Sequence, residues 1–320
     1  MINSVRQTVM SVLNKNNYGY ISPSDFNLFA KQAQLDLFED YFYSYNYQIN
    51  KENARKSGTG YADITKGIEE VIDTFSVTLP LLSGAGSEYY LPSLITTNND
   101  YYLINKILIN NKVLISGTTT AVAAGTNEII DTSGVDFVAA GVKVGDIVGV
   151  EVSGVAYNLI VTAVDLTGTI LTVASSILNS TPLTYTVYTA DKKKEAEKVT
   201  HTKITMLNNS LLTKPNLSYP AYTQESIFAQ TYPVTISNEG QIICQYIRFP
   251  YAPKWTFVEL TNGEPAFDAS QSDYQDFELP NDDEVNLVNK ILQYAGMSIR
   301  EVSTVQFAQA QEQINTQESK

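Results

Sequence analysis

Apolar positions near the start of the chain recur every three or four residues, which is the spacing of one face of an α-helix. The apolar residues at positions 5, 9, 12 and 13 predict a first short helix. A second helix is predicted to begin after Ser22, since Ser22, Pro23 and Asp25 fit the capping pattern of a helix N-terminus. A third helix is expected from Ile64, with Asp63 as its cap. The first part of the chain is therefore expected to be mainly helical.

The second predicted helix carries two neighbouring apolar stripes. One stripe comprises Phe26, Phe29, Ala33, Leu37 and Tyr41, and the other comprises Leu28, Leu35, Phe38, Phe42 and Tyr45. Two apolar faces exceed what a single small core requires. The helix is therefore either buried centrally in its own domain or shared with a neighbouring subunit. The tyrosines near its end fit both core packing and an assembly surface, because tyrosine combines apolar area with a hydroxyl that tolerates partial exposure.

From Ser76 onward the pattern changes to that of β-strands. Segments 76–82, 88–96 and 101–110 are predicted strands, and Pro80 and Pro92 favour edge strands or extended segments there. Between residues 110 and 190, short runs rich in Val, Ile and Thr alternate with Gly, Asn and Asp turn signals. This spacing predicts a small antiparallel barrel or sandwich, with hairpin turns at Gly145-Asp146 and Thr167-Gly168.

The remaining residues return to a mixed pattern. A helix capped by Asp191 is predicted to include the lysine run 192–194, with Val199, Ile204, Met206, Leu207 and Leu211 as its apolar contacts. Strands are expected at 226–236, 241–249 and 255–260, with a turn at Asn262-Gly263. A last helix is expected after Pro280, capped by Asn281 and ended by Gly296. Leu287, Val288, Ile291, Leu292 and Ala295 form its predicted buried face.

These elements predict an α+β fold with a helical core from the N- and C-terminal segments and accompanying strands. An all-β domain, a small barrel or sandwich, is inserted into that core. The expected divisions are 1–109 for the N-terminal helices and strands, 110–190 for the insertion, 191–305 for the C-terminal part of the core, and 306–320 for a mobile tail.

Composition narrows the range of functions mainly by exclusion. The 320 residues carry 34 Asp and Glu against 21 Lys and Arg, and the net charge of −13 argues against a free-standing nucleic-acid clamp. One cysteine, Cys244, excludes an intramolecular disulfide framework and a multi-cysteine zinc site. One histidine, His201, excludes mechanisms that need two imidazoles. The sequence contains no apolar run long enough for a membrane span or a secretory signal, so neither is expected, and synthesis is expected in the cytoplasm.

Carboxylates are the remaining candidates for catalysis. They cluster within one turn-rich segment, as Asp268, Asp273, Asp276, Glu278, Asp282, Asp283 and Glu284. A glycosidase pair needs two carboxylates that face each other across the scissile bond. A structural or partner-facing acidic patch is the preferred interpretation, whereas a cell-wall hydrolase would depend on Asp273, Asp276 or Glu278. No cofactor or metal is expected, and the candidate partner-facing residues are Phe38, Tyr41, Phe42, Tyr45, Asp273, Asp276 and Glu278.

Long motifs at both ends of the chain resemble a known group of proteins. The opening INSVRQTVMSVLNKNNYGYISPSDFNLFAKQAQLDLFEDYF resembles the start of virion structural proteins of crAss-like and related tailed bacteriophages. The segment SDYQDFELPNDDEVNLVNKILQYAGMSIRE resembles their C-terminal signature. The middle block, with AGTNEI, GVDFVAAGVKVGDIV and VTAVD, is similar to small β-domains of phage neck, tail and baseplate components.

This resemblance implies a noncatalytic, adaptor-type ring protein in the head-to-tail connector below the portal. The implied ring is homo-oligomeric and dodecameric, contacts the portal protein and other ring or tail proteins, and surrounds passing double-stranded DNA without sequence-specific binding. Its implied location is the virion, reached from the host cytoplasm during assembly. The alternative is a tail or baseplate protein whose β-domain binds a glycan.

Overall fold

A computed structural model describes residues 1–13, 21–55, 64–94, 97, 100–121, 127–176, 182–190, 192–261 and 263–299, with the single positions 306, 309, 310 and 313. The chain divides into two compact units. The terminal unit comprises residues 1–75 and 249–320, and the central unit comprises residues 76–248. The fold is α+β, as the hydrophobic pattern predicts.

The helices are α1 (Ile2–Leu13), α2 (Pro23–Arg55), α3 (Ile64–Asp73), α4 (His201–Asn208) and α5 (Glu284–Ile299). The strands are β1 (Ser76–Pro80), β2 (Glu88–Tyr90), β3 (Tyr101–Asn110), β4 (Val113–Thr118), β5 (Glu128–Ile130), β6 (Ile147–Val152), β7 (Val155–Val164), β8 (Ile170–Val173), β9 (Thr184–Tyr188), β10 (Lys193–Glu195), β11 (Glu197–Lys198), β12 (Ala221–Gln224), β13 (Phe228–Tyr232), β14 (Ile242–Arg248), β15 (Phe257–Glu259) and β16 (Pro265–Phe267). The predicted caps Asp63 and Asp191, the turn residue Asn262 and most of the predicted tail 306–320 lie outside the described residues.

The helices of the terminal unit bury the faces that their periodicity predicts. Helix α1 buries Ile2, Val5, Val9 and Leu13, while α5 buries the five predicted residues of its inner face. The N-terminus of α2 is capped as expected, because the backbone N–H of Asp25 donates to Ser22 Oγ at 3.2 Å.

Helix α2 packs mainly within its own unit. Its buried apolar residues are Phe26, Ala30, Ala33, Leu37 and Phe38, a set drawn from both predicted stripes. Leu28, which belongs to the second predicted stripe, is exposed. The two stripes are therefore not two separate buried faces.

Both predicted ends of the last helix are wrong. Asn281 lies inside a 3₁₀ turn, Asn281–Asp283, which Pro280 precedes without a side-chain cap. Gly296 does not end α5, which continues to Ile299. Gly296 is buried, and tertiary packing of this kind outweighs the roughly 1 kcal/mol by which glycine disfavours a helix interior.

The central unit contains two four-stranded sheets and a six-stranded sheet among its described residues. The four-stranded sheets have the orders β1-β14-β3-β10 and β11-β12-β13-β2. They share one apolar core, which includes Tyr89, Ile107, Tyr222, Ala229 and Cys244. Strand β1, which ends at Pro80, is an edge strand as predicted.

Two of the three lysines at 192–194, Lys193 and Lys194, lie in strand β10 and not in the predicted helix. Lys193 pairs with Asn110 and Glu195 pairs with Leu108, so that β10 occupies the edge of its sheet. Charged edge strands protect a sheet from pairing with other chains, which explains the composition. Helix α4 begins only at His201, where Thr200 Oγ accepts from the backbone N–H of Lys203 at 3.3 Å.

The six-stranded sheet, in the order β4-β9-β6-β7-β8-β5, forms the all-β block. It curls until the chain after β4 reaches β5, where Thr120 N donates to Ile130 O at 2.9 Å. Its core includes Val148 of β6, Tyr185 of β9 and Phe137 of the segment between β5 and β6. Strands β3, β10 and β14 lie in the same compact unit as this block. The independence of 110–190 as an inserted domain stays a prediction.

One of the two predicted hairpin turns of this block is confirmed. Thr167-Gly168 connects β7 to β8, with Gly168 at φ +71°. Gly145-Asp146 precedes β6 and does not connect paired strands, so that prediction is wrong. The β6–β7 hairpin turns instead at Ser153-Gly154, whose φ values of +53° and +79° are those of a type I′ turn.

Candidate assembly surface

The predicted interface residues of α2 lie close together, and the structure gives two of them roles within the terminal unit. Phe38 is only 1% exposed and packs edge-on against Phe75, with ring centroids 5.1 Å apart. Phe38 is therefore a core residue and not a partner-facing one. Tyr41 is half-buried, and its hydroxyl donates to the Asp283 carboxylate. Burial, together with this hydrogen bond and the charge of Asp283, raises the pKa of Tyr41.

Phe42 and Tyr45 continue along the same helix and remain partly accessible. Phe42 contacts Phe38 edge-on, with ring centroids 5.0 Å apart, and both Phe42 and Tyr45 are half-buried. Tyr43, between them, is exposed. Assembly through the end of α2 stays a prediction, resting on Phe42 and Tyr45.

The Asp276 carboxylate binds the start of the chain. It accepts hydrogen bonds from the N-terminal ammonium of Met1 at 2.9 Å and from the backbone N–H of Ile2 at 2.8 Å. Its own neighbour Phe277 also donates to it at 2.8 Å. Burial acts to raise the pKa of Asp276, but these donors outweigh burial and hold it below its usual range. Asp276 therefore stabilises the contact between the N-terminus and the segment before α5.

The other two predicted carboxylates have different partners. Asp273 forms an ion pair with Lys254, and the hydrogen bond from Lys254 lowers the pKa of Asp273. Glu278 accepts from the backbone N–H of Tyr251 at 2.6 Å. Asp273, Asp276 and Glu278 thus each bind a separate partner within the terminal unit. A structural role accounts for all three contacts, while their participation in an interface stays a prediction.

The remaining titratable candidates from the sequence take structural positions. Cys244 lies fully buried in β14, and burial raises the pKa of its thiol to about 12. His201 is the exposed first residue of α4. Within the described part of the chain, no three His, Cys, Asp or Glu side chains are placed to hold a metal ion.

An exposed apolar surface that the sequence did not predict lies between β11 and β12. We call residues 200–220 the arm; it comprises α4 and the loop that follows. Backbone hydrogen bonds of 2.9 Å join its two ends, from Glu197 N to Pro220 O and from Val199 N to Tyr222 O. The arm is therefore closed at its base by the pairing of β11 with β12.

The loop of the arm presents two leucines to solvent. Leu211 is 99% exposed and Leu212 is 97% exposed. The loop is ordered by its own backbone, since Lys214 N donates to Ser210 O at 3.0 Å. Neighbouring Met206 is also largely exposed. Contiguous exposed apolar groups of this kind mark interaction sites more often than isolated ones do.

The prediction that Met206 and Leu211 supply buried contacts is therefore wrong. The helical stretch expected through this region ends at Asn208, and within it Ile204 is buried. The available sequence signal lies after the Leu-Leu pair, where Thr213, Lys214 and Pro215 follow without an apolar residue at helical spacing.

The arm is also basic, whereas the chain as a whole is acidic. It contains His201, Lys203 and Lys214 and no Asp or Glu, whereas the chain as a whole carries a net charge of −13. Lys203 pairs with Glu197 at the base of the arm, at 2.8 Å. Lys214 lies two residues beyond Leu212, so that the exposed tip is both apolar and basic.

A half-open groove of about 770 Å³ forms a second candidate site in the central unit. Its apolar walls come from β1, β14 and the β6–β7 hairpin, through residues such as Pro80, Ile243 and Ile160. Tyr157 contributes an aromatic ring, and Lys193 contributes a positive charge. Such a groove could hold a small ligand or an extended chain segment.

Comparison with known proteins identified no family and no related curated sequence. The resemblance to phage virion proteins therefore stays a prediction. None of the helices that the structure describes has an apolar stretch sufficient to cross a membrane.

Proposed function

We propose that this chain is a noncatalytic structural protein of a tailed-phage virion, which forms an oligomeric ring in the head-to-tail connector. The observation that carries the proposal is the apolar tip of the arm, where Leu211 and Leu212 are almost fully exposed. Burying a leucine side chain stabilises an assembly by about 1.5–3 kcal/mol, so this surface favours a partner. The terminal motifs supply the resemblance to virion proteins.

A ring requires each copy to offer two different, complementary surfaces, because side-by-side contacts in a cyclic assembly are heterologous. The basic apolar tip can serve as one such surface. The strongly acidic composition of the chain suits a conduit for double-stranded DNA, since an acidic wall repels phosphates and does not retain the passing duplex. Twelve copies below the portal protein are expected from the resemblance.

Electron microscopy of the purified full-length chain, alone and mixed with the portal protein of the same phage, tests this function. We expect closed rings with a central channel, and a matching density below the portal in virions. A chain that stays monomeric under both conditions and is absent from the neck of the virion would contradict the proposal.

The groove of the central unit favours one second candidate, a tail or baseplate protein that binds a glycan. Its aromatic lining, Tyr90 and Tyr157, together with half-open apolar walls, is suited to the face of a sugar ring. Calorimetric titration with host-surface oligosaccharides distinguishes the two functions. Binding that is lost on Tyr157→Ala, without any ring formation, would favour this second candidate over the connector.

A further inference from the structure

The apolar tip of the arm needs a complementary surface, and the positive charge of the arm limits which surfaces can bind it. The tip combines Leu211 and Leu212 with Lys214, and no carboxylate lies anywhere in the arm. The complementary surface should therefore be apolar and acidic. The groove of the central unit fits poorly, because the charged side chain that its described residues contribute is Lys193, which repels the basic arm.

The terminal unit has the opposite charge. It contains 21 Asp and Glu against 11 Lys and Arg, whereas the central unit contains 13 against 10. Most of the net negative charge of the chain is thus carried by the terminal unit. Electrostatic complementarity of this kind steers association and suppresses wrong pairings.

Within the terminal unit, the β15–β16 hairpin combines this charge with exposed apolar side chains. Val258 is 50% exposed and Leu260 is 51% exposed. The segment 257–268 contains the carboxylates Glu259, Glu264 and Asp268 and no Lys or Arg. The hairpin is therefore apolar like the tip of the arm and carries the opposite charge.

The hairpin is also held in a fixed position. Phe257 and Phe267 lie opposite each other across β15 and β16. Both rings stack on Trp255, with centroid separations of 5.6 Å and 5.9 Å. Because these rings anchor one side of the hairpin, Val258 and Leu260 can remain accessible without the hairpin losing its shape. A surface fixed in advance loses less conformational entropy on binding.

We propose that the arm of one copy docks on the β15–β16 hairpin of a second copy of this chain. In this contact, which rests on the proposed function, Leu211 and Leu212 pack against Val258 and Leu260 while Lys214 faces the carboxylates of the hairpin. Both surfaces are exposed in the single chain, so a second copy supplies the cover. The contact is heterologous, and each added copy presents a new arm and a new hairpin until the assembly closes.

Two double variants of the full-length chain test the contact. The arm variant is Leu211→Asp with Leu212→Asp, and the hairpin variant is Glu259→Lys with Leu260→Lys. Leu166→Asp is the matched control for the arm, because Leu166 is also 99% exposed and lies at the β7–β8 turn. We expect each double variant to weaken self-association more than tenfold in sedimentation velocity, while the control assembles as the original chain does. Unchanged circular dichroism and melting temperature would show that both variants fold.

Mixing the two variants provides the sharper measurement. An arm variant retains an intact hairpin and a hairpin variant retains an intact arm, so a mixture should form heterodimers at a 1:1 ratio and nothing larger. Native mass spectrometry, with one variant isotopically labelled, reads this ratio directly. A mixture that stays monomeric would overturn the inference, and so would an arm variant that assembles like the original chain. Raising the salt concentration should also weaken the original contact, since exposed charges are screened.

The outcomes separate this inference from the proposed function. Rings that form equally well with the arm variant refute the arm–hairpin contact and leave the connector function standing. Arm-dependent assembly by a chain that is absent from the virion neck refutes the connector function and leaves the contact standing.

Discussion

The substitution Gly149→Ala tests how closely the all-β block packs against the rest of the central unit. Gly149 lies in β6, directly against the backbone of the turn before β14. A Cβ atom at Gly149 would lie 2.4 Å from Glu239 O and 2.9 Å from Gly240 Cα. The turn cannot easily retreat, because Tyr188 Oη donates to Glu239 O at 2.6 Å and Asn110 Nδ2 donates to Gly240 O at 3.0 Å.

The expected magnitude follows from two opposing effects. Alanine is favoured over glycine in a strand by about 0.5–1 kcal/mol. Forcing an extra methyl group into a well-packed site costs about 1–3 kcal/mol, and the upper end applies at Gly149 because both obstructing atoms belong to backbone. We therefore expect the free energy of unfolding of the central unit to fall by about 2 kcal/mol. For a domain of roughly 150–250 residues this lowers Tm by about 4–8 °C.

Differential scanning calorimetry and urea unfolding measure this loss. Gly67→Ala is the control, since among the described residues no atom outside its own helical turns lies within 4 Å of a Cβ placed on Gly67 in helix α3. The control should be stabilised by up to about 1 kcal/mol, because alanine favours a helix interior. If Gly149→Ala unfolds at the original temperature or above it, the close backbone approach described here is wrong.

Three further predictions concern buried side chains of the central unit. Asp131→Asn should lower the free energy of unfolding by about 1–3 kcal/mol at pH 7, because the buried carboxylate accepts from Tyr185 at 2.6 Å. Burial acts to raise the pKa of Asp131 in the folded state, but hydrogen bonding outweighs burial and lowers it. The stability that the Asp131 carboxylate contributes is therefore lost as pH falls below about 4. Equal acid sensitivity of the original chain and the variant in urea titrations would contradict this prediction. Glu239→Gln should leave the free energy of unfolding at pH 7 unchanged or higher, since burial raises the pKa of Glu239 while a glutamine can still accept from Ser83. In urea titrations the original chain, but not this variant, should lose stability as pH rises from about 4.3 through the raised pKa. If the variant is less stable than the original chain by more than about 1 kcal/mol at pH 7, this prediction is refuted. Cys244 should resist Ellman's reagent in the native chain and react fully in guanidinium, because its thiol is buried with a pKa of about 12, and rapid native labelling would disprove the burial.

The candidate site shows where prediction from sequence stops. Phe38 and Leu211 both look like apolar residues of a helix, yet Phe38 is 1% exposed and Leu211 is 99% exposed. Apolar character predicts that a side chain favours burial, but it does not tell whether the same chain supplies the cover. The role of Asp276 could not be predicted from the sequence either, because its main partner, the N-terminal ammonium of Met1, lies 275 positions away in the sequence.

Properties that depend on neighbours along the chain were determined by the sequence alone. The stripe of α1, the Ser22 cap, the buried face of α5 and the α+β class all follow from periodicity and from local capping chemistry. Tertiary structure decided the rest. Lys193 lies in a strand because β3 offers it hydrogen bonds from 83 positions away, and Gly149 matters because a distant turn touches its backbone. Strand pairing and close packing join residues that are far apart in sequence, so the local sequence pattern does not predict these contacts.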